Sequence, residues 1–158
     1  MLTKKGMIFI CVMSLMMALL CGCKTEAGLP RWYFGVKGAK TKVFSAIDYS
    51  KLDEASITVE RQKSGNLEVL DGVRLKDVLN YLDVCKYSSI TLTSRDGSTI
   101  EYMPEIVEES ATLLVFEVNG RTQWENGVEI VQVVAGNQPE DLWLWNLKTL
   151  TINPSYIS

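Results

Sequence analysis

Hydrophobic positions along this chain change period several times, and each period predicts an element. Ile57 and Val59 alternate with polar neighbours between Ser56 and Arg61, the two-residue repeat of a half-buried strand. Lys63-Ser-Gly-Asn66 then breaks the pattern as a loop. Leu75, Val78, Leu79 and Leu82 fall at i, i+3, i+4 and i+7. That spacing puts one apolar stripe on a helix from about Arg74 to Leu82, with Lys76, Asp77 and Asn80 on its wet side. Ile90 and Leu92 alternate with polar residues between Ser89 and Ser94, Asp96-Gly97 supplies a tight turn, and Thr99 to Tyr102 returns as the second arm of a hairpin. Pro104 opens a short helix through Glu109, because its missing N–H would go unpaired in the first turn anyway. Leu113 to Val118 is an apolar strand closed by Asn119-Gly120, and Glu129 to Val134 is another. Gly136 to Asp141 is a loop, and Trp143 to Ile152 ends the pattern, with its clearest alternation at Thr149 to Ile152. Near the front, Phe44 to Leu52 runs from an extended segment into a short helical turn.

Strands outnumber helices in this reading, with one good amphipathic helix among them. The expected class is α+β: one domain of mixed or antiparallel sheets, spanning residues 31–158. A chain of 158 residues has room for one such domain and not for two.

Ahead of that domain the pattern is different. Lys4 and Lys5 precede Met7 to Leu20, a 14-residue apolar stretch broken only by Ser14. A membrane-spanning helix needs about 20 residues, so this is the size of a secretory leader. It ends Leu20-Cys21-Gly22-Cys23, which resembles a bacterial lipobox: a leucine three before the cut, a small residue just before it and a cysteine just after. The expected parts are a lipoprotein signal peptide over residues 1–22, a lipidated tether over 23–30 and then the domain. Cys23 is the lipidation site. A buried methylene contributes roughly 0.8 kcal/mol, so two or three acyl chains hold a protein on a bilayer. The plain alternative is a signal peptide or anchor with incidental cysteines. The lipoprotein reading places the protein on a bacterial cell membrane, facing away from the cytoplasm.

Charge and composition narrow the chemistry. Lys and Arg total 16 against 19 Asp and Glu, for a net charge of −3, and no basic run stands out. Phosphate-backbone binding needs clustered cations, so nucleic acid is not an expected partner. The chain has no histidine. The commonest general base, the Ser/His and Cys/His catalytic pairs and the commonest metal ligand are therefore all missing. Cys11 and Cys21 leave with the leader and Cys23 is acylated, so Cys85 is the one remaining thiol and no disulfide can form within the mature domain. Cys85 itself is either a redox thiol or a small buried apolar residue at a helix–strand junction, and the second is expected.

Several words resemble the molybdopterin-binding domain of the sulfite oxidase family: Phe44 to Leu52, Asp71-Gly-Val-Arg-Leu-Lys-Asp-Val-Leu79, Ser94-Arg-Asp-Gly-Ser98 with Tyr102, Asn119-Gly120, Gly127 through Gly136, and Trp143 to Ile152. The likeness runs from about residue 40 to the end and implies that family's fold. In that family molybdenum is held by the pterin dithiolene and one cysteine thiolate, the soft ligand a soft metal centre needs. The resemblance would put that cysteine within Thr58-Val-Glu-Arg-Gln-Lys-Ser64, which has none, and Cys85 follows the helix instead of preceding it. The family's arginine-bearing Gly-x-x-Arg-Leu-x-x-Pro-Gly stretch is here Val131-Gln-Val-Val-Ala-Gly136. No metal ligand and no catalytic residue is therefore assigned; molybdopterin enters by resemblance alone.

Candidate ligand contacts are Arg61, Gln62 and Lys63, which the resemblance puts beside the family's cofactor pocket, and Trp124 beside a turn. The three could grip an anion by charge-assisted hydrogen bonds, or be a solvated loop. Trp143 and Trp145 would share a face if extended; exposed, they could stack on sugar rings or a pterin, but core is the expected role for both. Glu105, Glu108 and Glu109 are read as favourable to a helix dipole. Trp32-Tyr33-Phe34, which follows the tether, either plugs the domain's edge or lies at the membrane surface, and docking on the domain is the expected role. The resulting expectation is a membrane-anchored, non-catalytic module binding a small molecule or an envelope protein. The alternatives are a molybdopterin-dependent oxidoreductase with an atypical site and a structural or assembly lipoprotein.

Overall fold

In the computed structural model, which describes residues 31–155, two five-stranded sheets and three short helices carry the chain. Along the sequence these are β1 (Tyr33–Lys37), β2 (Val43–Ser45), α1 (Ala46–Tyr49), β3 (Ala55–Glu60), β4 (Leu67–Arg74) and α2 (Leu75–Tyr81). There follow β5 (Ser89–Ser94), β6 (Thr99–Tyr102), α3 (Pro104–Val107), β7 (Thr112–Val118), β8 (Arg121–Thr122), β9 (Trp124–Glu125), β10 (Val128–Glu129) and β11 (Gln132–Ala135). A 3-10 turn (Glu140–Leu142) and β12 (Leu147–Asn153) complete the order. The first sheet runs β2-β1-β12-β5-β6, with β1 parallel to β12 and the other pairs antiparallel. The second runs β11-β7-β4-β3, with β8 paired to β7, and β9–β10 is a separate hairpin. This is the expected α+β arrangement.

The main core lies where the two sheets and α2 meet. Phe34, Val36, Phe44, Ile90, Leu92, Leu150 and Ile152 come from the first sheet, and Val73, Leu114, Phe116 and Val133 from the second. Leu75, Val78, Leu79 and Leu82 close it from α2, as the helical spacing predicts. A smaller cluster of Val59, Leu70, Leu113, Val115 and Val134 sits on the other face of the second sheet. The central strand β7 is therefore covered on both sides, which is why its sequence is a continuous apolar run instead of an alternation.

Several segments differ from the sequence reading. β4 occupies Leu67 to Arg74, where no strand is expected; Leu67 and Val69 point out beyond the core, so its apolar residues do not line up on one buried face. Residues 129–134 divide into the end of β10 and most of β11. Residues 143–146 are not strand: only Leu144 bridges to Val133, and Asn146 has φ of 54°. Helix α3 stops at Val107, so Glu105 is in its first turn while Glu108 caps its C-terminal end, where a negative charge is unfavourable. Trp32 and Phe34 are buried, as docking requires, and β1 is built around them.

Candidate functional site

Pairing across the second sheet sets one row of polar side chains. Ser56 stands opposite Asp71, Asp71 opposite Glu117, and Glu117 opposite Thr122. The row exists because β7 carries one residue more than β4 at this level: Asp71 pairs with Glu117, but Gly72 pairs with Val115. The unpaired residue is Phe116, and a bulge of this kind places two consecutive side chains on one face. Phe116 and Glu117 accordingly both turn to the side where β1 and α1 lie.

These residues form part of a cleft of about 590 Å³. Its floor is aromatic. Phe116 stacks on Trp32 with centroids 4.5 Å apart and packs tilted against Tyr49 at 4.3 Å. Its walls are acidic, with Glu54, Asp71, Glu117 and Glu129 against a single cation, Arg31. Glu129 is 4% exposed at its side chain and accepts a hydrogen bond from Arg31 Nη1 at 3.3 Å, while the arginine is 78% exposed. The Tyr49 hydroxyl donates to Glu54 Oε1 at 2.9 Å. Burial, that hydrogen bond, and the negative charges of Glu54, Glu117 and Asp71 together raise the tyrosine pKa well above its ordinary value. It stays a neutral donor, and the cleft keeps its excess of negative charge.

The sequence candidates lie elsewhere. Arg61 follows β3, where its Nε pairs with Glu68 at 3.0 Å, its Nη1 with Glu140 at 3.6 Å, and its guanidinium lies 5.1 Å from the centre of the Trp143 ring. The Gln62 amide donates to Glu140, and Lys63 is exposed on the turn. Arg61 and Gln62 thus fasten the β3–β4 turn to the 3-10 turn. Trp124 is 59% exposed on β9, across from Glu129. None of these four residues lines the cleft just described. Cys23 lies outside the described residues. Glu54, Asp71, Glu117 and Glu129 carry no sequence signal of their own, since their meeting depends on strand register.

Two expectations on neighbouring residues are corrected. Cys85 is exposed, not buried, because it lies on the loop after α2, in a second cleft with Lys40 and Lys86. Trp145 is 43% exposed, since the chain turns at Asn146 instead of continuing as strand; Trp143 is half-buried and donates its indole N–H to the Ala135 carbonyl.

No protein-family model and no curated protein matches the chain. Among solved structures, the sulfane dehydrogenase SoxCD from Paracoccus pantotrophus superposes with a TM-score of 0.65 at 14% identity, covering 82% of this chain and 40% of that one. The two share a fold. The chain spans about 40% of that neighbour's length, so the likeness concerns one architectural unit.

Whether the residues present suit a molybdopterin centre can be judged from the donors. Among the described residues the only thiol is Cys85, after α2 and away from the β3–β4 turn. At that turn Arg61 is already held by two carboxylates and a tryptophan face. No group of three His, Cys, Asp or Glu side chains among the described residues is placed to hold a metal. The donor set does not fit a thiolate-ligated molybdenum.

Proposed function

We propose that this protein is a lipid-anchored, extracytoplasmic binding module on a sulfite oxidase-like scaffold, and that the acidic cleft takes a small organic cation. The observation that carries the reading is the cleft's composition: carboxylates on the walls, closely packed aromatic rings beneath, and one arginine already engaged by Glu129. Aromatic faces and carboxylates both attract an ammonium group, and an aromatic contact is stronger where water is displaced. An anionic ligand would meet four like charges. Cys23 would carry the acyl chains that place the domain on the membrane. No helix among the described residues is long and apolar enough to cross it.

Thermal shift and calorimetry on the purified protein test this, using primary and quaternary alkylammonium ions against carboxylates of matched size. Ammonium ions should raise the melting temperature and carboxylates should not. Asp71→Asn should weaken the binding about tenfold, the loss of one charge-assisted contact. Equal shifts from both sets, or none from either, would overturn the cation reading.

The likeness to a dehydrogenase fold favours a second reading, a molybdopterin oxidoreductase with an atypical site. Protein made in a molybdopterin-synthesising host would then carry stoichiometric molybdenum. Substoichiometric metal, with no pterin fluorescence after denaturation, would end that alternative.

A further inference from the structure

The chain enters the domain at Arg31, and Arg31 is held by Glu129 of the β9–β10 hairpin. Glu129 stands opposite Trp124, whose ring is 59% exposed. Two residues on, Tyr33 is 56% exposed and begins β1. Tyr33 pairs with Ser45 and Gly35 with Val43, so Tyr33 and the exposed Val43 are diagonal neighbours on the outer face of that ribbon. Ile47, also exposed, follows in α1. The exposed apolar side chains Tyr33, Val43, Ile47 and Trp124 therefore all belong to elements that meet where the chain comes in.

Chain reach gives that placement a consequence. Eight residue steps separate Cys23 from Arg31, which span roughly 26–29 Å even when fully extended. A domain of this size is roughly 35 Å across. A lipid at Cys23 would therefore hold Arg31 within that distance of the bilayer, which is too close for the far side of the domain to be the face in contact. Trp and Tyr settle at membrane interfaces because each joins an apolar ring to a polar tip. Three of the cleft's carboxylates, Glu54, Asp71 and Glu117, lie on this side as well, so its charge disfavours strongly anionic membranes.

We propose that Trp124 and Tyr33 insert into the interface of a zwitterionic phospholipid bilayer, so that the anchored domain sits on the lipid surface with its entry side down. This rests on the anchoring reading above. The test uses full-length protein produced with its leader in a bacterium, purified in detergent and reconstituted into phosphatidylcholine vesicles. Mass spectrometry of the N-terminal peptide reports acylation of Cys23. Tryptophan fluorescence is then measured with and without a nitroxide-labelled lipid.

Wild-type emission should be quenched, and Trp124→Phe should remove more than half of that quenching. A tryptophan placed by Met103→Trp in the Trp124→Phe background should stay unquenched. Met103 is exposed beyond β6, the edge of the first sheet opposite β1 and β2, roughly 14 Å away across three strand spacings. An unmodified Cys23 would overturn the anchor and this seating together. Acylated, vesicle-bound protein in which Trp124 is quenched no more than the tryptophan at position 103 would overturn the seating alone.

Discussion

Gly72→Ala is the substitution to which this fold should be most sensitive. A Cβ added to Gly72 would lie 1.8 Å from the Leu114 carbonyl oxygen and 2.7 Å from its carbon. Both neighbours are backbone, so no rotamer change relieves the clash. Gly72 pairs with Val115 at the bulge that places Phe116 and Glu117 on the cleft side, so β4 and β7 would have to separate there by roughly 1.5 Å to restore ordinary contact. Overpacking of this kind costs about 1–3 kcal/mol, and each ladder hydrogen bond lost adds about 1 kcal/mol. The expected loss is about 3–4 kcal/mol, or roughly 10–15 °C in melting temperature for a domain of this size. Gly97→Ala is the control: Gly97 has φ of 93° but nothing within 4 Å of the added carbon, so only a conformational cost of about 1–2 kcal/mol remains. Thermal and urea melts followed by circular dichroism measure both. Gly72→Ala melting within 2 °C of wild type, or above Gly97→Ala, would refute the close approach of β4 and β7.

Three other outcomes follow from particular contacts. Asp48 lies in the capping box of α1 and accepts hydrogen bonds from Ser45, Tyr81 and Lys51. Burial works to raise its pKa, but those bonds prevail and hold it below its ordinary value. Its contribution is therefore present above about pH 4 and lost as acid protonates the folded form; Asp48→Asn should lower stability by about 1 kcal/mol at pH 7 and flatten the acid limb of the urea midpoint against pH. Arg61→Ala should cost about 1–2 kcal/mol in urea melts, since its ion pairs are one-third exposed and screened but its stacking on Trp143 is also lost; Arg61→Lys should recover only part of this. Cys85 should react with a maleimide at the rate of an open thiol in the native state, a signal that Cys85→Ser removes; protection until denaturant is added would contradict its exposure.

Residue spacing alone determined much of this protein. The apolar face of α2, the β5–β6 hairpin about Asp96-Gly97, the proline-led start of α3 and the apolar strand β7 are local patterns, decided by neighbours three or four residues away at most. The leader and lipobox expected ahead of the domain lie outside the described residues. The pairing of strands decided the rest. β4 is not legible in the sequence because its outer half, Leu67 and Val69, extends past the core that covers Val73. Cys85 and Trp145 lie where the chain turns outward, which composition does not reveal. The cleft depends most heavily on tertiary structure: Glu54, Asp71, Glu117 and Glu129 are scattered over 76 positions. Glu117 joins the others because one extra residue in β7 shifts its register against β4, and a register shift is settled by cross-strand hydrogen bonds between segments far apart in the chain.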